Sequence, residues 1–252
     1  MTHLIIAAAC CNIESCSKEP KKSYQINVEG TLELVRQSIE RGLFPILFSS
    51  DYVFDGMDRE YDESSKTAPL NPYGKQKEEL EQRLPDYSKG NHLILRLSKI
   101  FSLEKGSGTL LDEMASELCK GRAVRAATDQ LFCPLEIGDL MTFITLLLKQ
   151  KARGLYNVGG SERVSRYDLA LRVAKALGVS EAAVMPISLD ELGGTVRPKS
   201  TALSSQKLYN DTGFKPHELC HSIQSIAKLY REDERLIRSI PARVSPSSRS
   251  WI

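Results

Sequence analysis

Phe44-Pro45-Ile46-Leu47-Phe48-Ser49-Ser50-Asp51-Tyr52-Val53-Phe54-Asp55-Gly56 is the stretch on which the fold turns. Its apolar first half, residues 44–49, reads as a buried strand, and it ends in hydroxyl side chains followed by turn residues. In an open α/β sheet, ligands bind outside the carboxyl ends of the strands, so a hydroxyl there stands where chemistry happens. Upstream, residues 21–41 have the pattern of a helix stopped by Gly42, and before it Leu4-Ile5-Ile6-Ala7-Ala8-Ala9 reads as another buried strand ending in small residues. Downstream, a polar loop runs from Asp55 to Pro72. Residues 73–84 then read as a helix with Lys75 and Glu79 spaced for an i,i+4 pair, and residues 93–97 as a further strand.

The alternation continues. Residues 110–118 and 135–148 read as helices, the second with Glu136 and Asp139 near its positive end. Residues 155–158 read as a short strand, Gly159-Gly160 as a turn, and Ser165 with Asp168 as the cap of a helix stopped by Gly178. A last helix is predicted over about 219–237, and the Pro, Ser and Arg of residues 241–249 predict a disordered tail. Short apolar runs alternating with amphipathic helices argue for a parallel sheet with helices on both faces.

Composition narrows the partners. A net charge of +2, from 34 basic and 32 acidic residues, offers no field for nucleic acid or an anionic membrane. No apolar run approaches the ~20 residues of a membrane span. The six cysteines, Cys10, Cys11, Cys16, Cys119, Cys133 and Cys220, show no Cys-x-x-Cys pair, so no metal is expected and the thiols read as free in a reducing compartment. A cytoplasmic protein with a small-molecule partner is expected.

The chemistry concentrates in Ser50 and in Pro69-Leu70-Asn71-Pro72-Tyr73-Gly74-Lys75-Gln76-Lys77. Tyr73 and Lys77 are four apart at a helix start, so they project from one face. A nearby ammonium favours the phenolate and eases proton exchange with a substrate oxygen, which Ser50 would also hydrogen-bond. The spacing alone equally suits a solvated Lys77 paired with Glu81.

Taken with Ser49-Ser50-Asp51-Tyr52-Val53-Phe54-Asp55-Gly56 and Asn27-Val28-Glu29-Gly30-Thr31, these motifs resemble the extended short-chain dehydrogenases/reductases, closest to the dTDP-4-dehydrorhamnose reductases. The resemblance runs from about residue 3 to about residue 231 through Leu95-Arg96-Leu97-Ser98, Asp129-Gln130 with Pro134, Gly154-Leu155-Tyr156-Asn157 and Arg197-Pro198-Lys199-Ser200. It implies Ser50, Tyr73 and Lys77 as the catalytic triad and NADPH or NADH as cofactor. Ala7, Ala8, Ala9, Asn27, Ser49, Tyr73, Lys77 and Ser98 would lie along that cofactor. Asp51, Val53, Asp129, Gln130, Pro134, Arg197 and Ser200 would meet a nucleotide-linked 4-keto-6-deoxysugar. Arg197 suits a diphosphate, or else a surface salt bridge, and Asp129 and Gln130 equally suit a turn bonded to its own backbone. Cys133, Leu135 and Arg166 depart from the family pattern.

No Gly-x-x-Gly-x-x-Gly or Gly-x-Gly-x-x-Gly turn follows a strand. The resemblance places residues 4–9 at the fourth strand, so the expected fold is an incomplete Rossmann-like, doubly wound parallel sheet. Residues 1–150 would form a truncated NAD(P)-binding region carrying the triad, 151–235 a smaller substrate-binding α/β region, and 236–252 the tail. A fragment, a mis-started frame or a non-reducing relic is expected, with an exposed apolar sheet edge that a homodimer or partner chain would cover. Two other functions share these motifs: a non-catalytic subunit similar to the regulatory β subunit of methionine adenosyltransferase, and a sugar-nucleotide epimerase or dehydratase.

Overall fold

The computed structural model describes residues 2–237, with side chains to residue 232; most of the expected tail lies outside the described residues. In chain order the elements are β1 (His3–Ile6), α1 (Ile13–Lys18), α2 (Pro20–Tyr24), a π-helical stretch (Gln25–Gly30), α3 (Thr31–Glu40), β2 (Phe44–Ser50), a 3-10 turn (Asp51–Val53), α4 (Pro72–Ser88), β3 (Leu93–Leu97), β4 (Ile100–Phe101), α5 (Leu110–Cys119) and β5 (Val124–Ala127). There follow β6 (Leu131–Phe132), β7 (Leu135–Glu136), α6 (Ile137–Lys149), β8 (Gly154–Val158), β9 (Val164–Ser165), α7 (Arg166–Leu177), β10 (Val184–Ile187), α8 (Gln206–Thr212) and α9 (Leu219–Ile237). Two compact units share the chain. Among the described residues, 2–98, 142–159 and 194–214 form one, and 99–141, 160–193 and 215–237 the other.

The first unit is the expected α/β layer. Its four strands run parallel in the order β1-β2-β3-β8, with Leu47 beside Ile94 and Ser49 beside Arg96. Because side chains alternate along a strand, Leu47 and Ile94 share a face, and there they meet Val28, Leu32, Val35, Leu80 and Leu84 from the helices. Each such burial contributes about 1.5–3 kcal/mol. β1 is an edge strand among the described residues, and Ile5 on it is 42% exposed.

Local departures have physical reasons. β1 stops at Ile6, its last residue paired to β2, so Ala7–Ala9 form a loop rather than strand. The predicted helix from residue 21 begins earlier, with Pro20 at the first position of α2, and turns π-helical at Gln25. α4 continues past Leu84 through Pro85 because the ring removes only one ladder bond, and Ser88 Oγ donates to the Leu84 carbonyl. Glu79 takes Arg83 and the Tyr24 hydroxyl instead of Lys75.

In the second unit α5, α7 and α9 enclose a core of Leu111, Met114, Leu169, Val173 and Ile226, beside the parallel β10-β5 pair. Ser165 caps α7 through the Asp168 N–H at 2.9 Å, and Gly178 ends it in the left-handed region, both as predicted. Among the described residues no helix is long and apolar enough to cross a membrane.

Candidate active site

β2 and α4 deliver the expected triad within the first unit. Ser50 closes β2 and caps the 3-10 turn, accepting the Tyr52 N–H at 3.2 Å and donating to Asp51 Oδ1 at 3.1 Å. Asn71 caps α4 by accepting the Gly74 N–H at 2.9 Å, and its amide donates to the Val196 carbonyl at 3.1 Å. Gly74 is required by close approach: a Cβ there would lie 2.2 Å from the Tyr52 carbonyl oxygen. α4 therefore begins hard against the turn, which brings Tyr73 to Ser50.

Tyr73 is nearly buried, packs edge-to-face on Tyr52 at 6.2 Å, and has the Ser50 hydroxyl and the Cys11 thiol as hydrogen-bond neighbours. Burial raises its phenol well above the usual 10, with Cys11 and Asp51 adding and the Ser50 hydrogen bond opposing. Burial thus works against the expected phenolate. Lys77 is buried, its Nζ 5.8 Å from the Tyr73 ring centre and donating to the Phe48 carbonyl at 2.8 Å. Burial pulls Lys77 below its usual 10.5, opposed by Cys11, Glu81 and Cys16. The alternative of a solvated Lys77 paired to Glu81 is not what forms. Glu81 takes Arg96, with Nη2 at 2.7 Å, and the Ser49 hydroxyl, so Ser49 turns away from Ser50. Glu81 and Arg96 also line a cavity of about 470 Å³ with His92, Ile94 and Leu155, and neither Tyr73 nor Lys77 reaches it.

The residues expected along a cofactor divide. Ala7 and Ala8 are exposed and Ala9 half-buried at the end of β1. Asn27 is fully buried and committed to the protein: Oδ1 accepts the Cys10 N–H at 2.7 Å, and Nδ2 donates to the Cys10 carbonyl and to Gln76 Oε1. Ser98 is buried with its N–H on the Val158 carbonyl at 3.0 Å. Asn27 thus sets the loop after β1 rather than offering a free amide. Gln76, Asn71 and Cys11 are the neighbours that sequence reasoning missed; the Asn-Pro pair before Tyr73 was a legible capping signal.

Of the residues expected at the sugar, Asp51 is buried at the turn, and Val53 packs into a core with Phe54, Tyr61 and Leu203. Arg197 is buried, not on the surface, and holds Glu14 through Nη2 at 2.8 Å and the Thr195 carbonyl at 2.9 Å. Thr195 holds the same carboxylate through its N–H and hydroxyl, and these contacts keep Glu14 below its usual 4.5, the Thr195 N–H first among them. Ser200 Oγ donates to the Arg59 carbonyl at 3.3 Å. Asp129, Gln130 and Pro134 belong to the second unit. There Asp129 accepts the Leu189 N–H at 2.6 Å, and Gln130 Oε1 accepts Arg166 Nε at 3.1 Å. Arg166 also stacks on Phe132, and Pro134 presents its carbonyl where a Cβ on Gly160 would stand only 2.1 Å away.

A family model described as the RmlD substrate binding domain matches residues 1–232. The methionine adenosyltransferase 2 subunit beta of Pongo abelii is 28% identical over 199 residues, 75% of this chain and 59% of that protein. The dTDP-4-keto-6-deoxy-D-glucose reductase of Streptomyces niveus is 29% identical over 193 residues, 76% of this chain and 66% of that one. The chain thus spans about three-fifths of the length of the first of these relatives. In fold it is similar to a dTDP-4-dehydrorhamnose reductase from Bacillus anthracis, solved in complex with NADP, with a TM-score of 0.79 at 24% identity over 90% of this chain and 79% of that one.

Proposed function

The chain belongs to the RmlD substrate binding domain family, and from that premise we propose that it carries the carbonyl-reducing site of an NAD(P)H-dependent reductase acting on a nucleotide-linked 4-keto-6-deoxysugar. The observation that carries this reading is the convergence of Ser50, Tyr73 and buried Lys77 at the end of β2. The residues present suit the nicotinamide end of the cofactor: Ala7–Ala9 leave an open surface of small side chains, and Lys77 retains N–H donors beyond the one given to Phe48 for a ribose hydroxyl. No glycine-rich turn in these residues suits its diphosphate.

When bound, the nicotinamide supplies a hydride. Tyr73, kept protonated by burial, donates its phenolic proton to the oxygen formed from the carbonyl, and Ser50 hydrogen-bonds that oxygen. Lys77 holds positive charge beside the phenol as it loses its proton. Asp51, Ser200 and Arg197 contact the sugar nucleotide from the first unit, and Arg197 reaches a diphosphate only by sharing or releasing Glu14. The reading makes this a cytoplasmic protein with no nucleic-acid or membrane partner.

Titrating the 252-residue chain with NADPH and with NADH, followed by nicotinamide fluorescence and then by turnover of a nucleotide-linked 4-keto sugar, tests the reading. Saturable binding with turnover supports it. A folded sample that binds neither cofactor counts against it and favours the second reading, a subunit that acts by contact, which the likeness to methionine adenosyltransferase 2 subunit beta supports. A stoichiometric enzyme captured from native extract would establish that alternative.

A further inference from the structure

Cys10 and Cys16 face each other in the segment between β1 and α2. Cys16 Sγ lies 3.7 Å from Cys10 Sγ and 3.3 Å from the Cys10 carbonyl oxygen. Cys16 is fully buried on α1, Cys10 is half-buried and Cys11 is exposed. The main chain around both is anchored to one network. Asn27 grips the Cys10 N–H and carbonyl, its amide donates to Gln76 Oε1 at 2.7 Å, Gln76 donates to Ser23 Oγ at 2.9 Å, and Ser23 donates to the Cys16 carbonyl at 3.4 Å. To form a disulfide the sulfurs have to close from 3.7 Å to about 2.05 Å. The adjacent pair Cys10-Cys11 has no such arrangement, since Cys11 Sγ turns to the Ala9 carbonyl and to Tyr73.

We propose that Cys10 and Cys16 are a thiol-modification site, a dithiol that small-molecule disulfides of the oxidised-glutathione class convert to an intramolecular disulfide. The Cys10 thiolate attacks one glutathione sulfur, the glutathione S–S bond breaks, and one glutathione thiol leaves. The Cys16 thiolate then attacks the Cys10 sulfur, the mixed disulfide breaks, and the second glutathione leaves. Both cysteine protons end on the two glutathione thiols, so the protein is oxidised by two electrons and the glutathione disulfide reduced by two. Entry falls to Cys10 because it is the more accessible; burial pushes the Cys16 thiol up to about 11, so closure accelerates as pH rises. The crosslink closes a ring around Cys11, beside Tyr73, and Glu14, on Arg197. It therefore stiffens the segment that reaches both proposed site groups.

The test reads chemistry rather than turnover, so it stands or falls separately from the reductase reading. The reduced full chain is treated with oxidised glutathione, free thiols are alkylated, and the protein is cut after glutamate, which separates Cys10 and Cys11 from Cys16 at Glu14. Support is a crosslink from Cys10 to Cys16 with Cys11 alkylated, reversed by dithiothreitol and retained in Cys11→Ser. In Cys16→Ala the same treatment should leave glutathione on Cys10, and if that variant does not fold, Cys10→Ser should leave Cys16 alkylated and uncrosslinked. A bridge through Cys11, a stable glutathione adduct on the unmutated chain, or three unmodified thiols after prolonged oxidation would each overturn the proposal.

Discussion

One face of α4 meets two buried cations, and the fold treats them oppositely. Arg96 is paired to a carboxylate: Nε reaches both Glu81 oxygens at 3.0 and 3.1 Å, Nη2 reaches one at 2.7 Å, and the guanidinium lies over the Phe54 ring, while Nη1 is buried without a partner. Lys77, one turn before Glu81, is held by a main-chain carbonyl and keeps spare donors for the space beside Tyr73. A paired charge is spent on architecture, whereas a buried charge held only by a carbonyl costs stability unless a ligand uses it. That contrast, more than the Tyr-x-x-x-Lys spacing, distinguishes the proposed site from a structural pairing.

The contrast is tested most severely at Tyr73 and Lys77. Tyr73→Phe should cut turnover by about 10²–10⁴-fold while leaving the denaturation midpoint nearly unchanged, as expected for a lost proton donor. Lys77→Met should also abolish turnover, yet leave stability equal or higher, since it removes a buried ammonium that burial disfavours. A Lys77→Met protein that unfolds as readily as a Glu81 variant would erase the distinction.

Glu81→Ala should show the opposite signature. It strands Arg96 in the interior, at an expected cost of about 3–5 kcal/mol in urea unfolding, whereas Glu81→Leu with Arg96→Met should recover most of that loss. Gly74→Ala comes next, at about 1–3 kcal/mol, because its Cβ would press on the Tyr52 carbonyl. Stability and turnover should fall together there, since α4 must withdraw from the turn that places Ser50. A Gly74→Ala chain with full activity would mean that this contact does not set the site.

How much of this was legible follows from the range of the interactions. The strands at residues 44–50, 93–97 and 154–158 were readable because buried parallel strands are continuous apolar runs, and the cap of α7 because Ser165 and Asp168 are local partners. Ser50, Tyr73 and Lys77 could be gathered because they lie within one β-loop-α passage. What escaped were pairings across long separations. Glu14 with Arg197, Asn27 with Gln76 and Glu81 with Arg96 depend on register and packing, which local pattern does not encode. For Arg197 the sequence offered a diphosphate contact or a surface salt bridge, and the buried pairing with Glu14 across a long separation was not legible.

The smallest expected effect lies at Glu14, and it asks whether Arg197 depends on its carboxylate as Arg96 does or stands ready for a ligand like Lys77. The Glu14 carboxyl sits below its usual 4.5 because the Thr195 N–H donates to it, with the Thr195 hydroxyl and Arg197 adding and partial burial opposing. A folded-state value below the unfolded one means that the interaction stabilises in full above about pH 4.5 and is lost as pH falls through the folded value. Glu14 is 32% exposed, so solvent screening should hold the contribution under about 1 kcal/mol. Glu14→Gln keeps the shape and removes the titration. Unfolding measured from neutral to acid pH should therefore show a shallower loss below the carboxylate range in the variant than in the parent. Equal slopes would mean that the carboxylate charge does little for Arg197, leaving that guanidinium available to a phosphate much as Lys77 is available beside Tyr73.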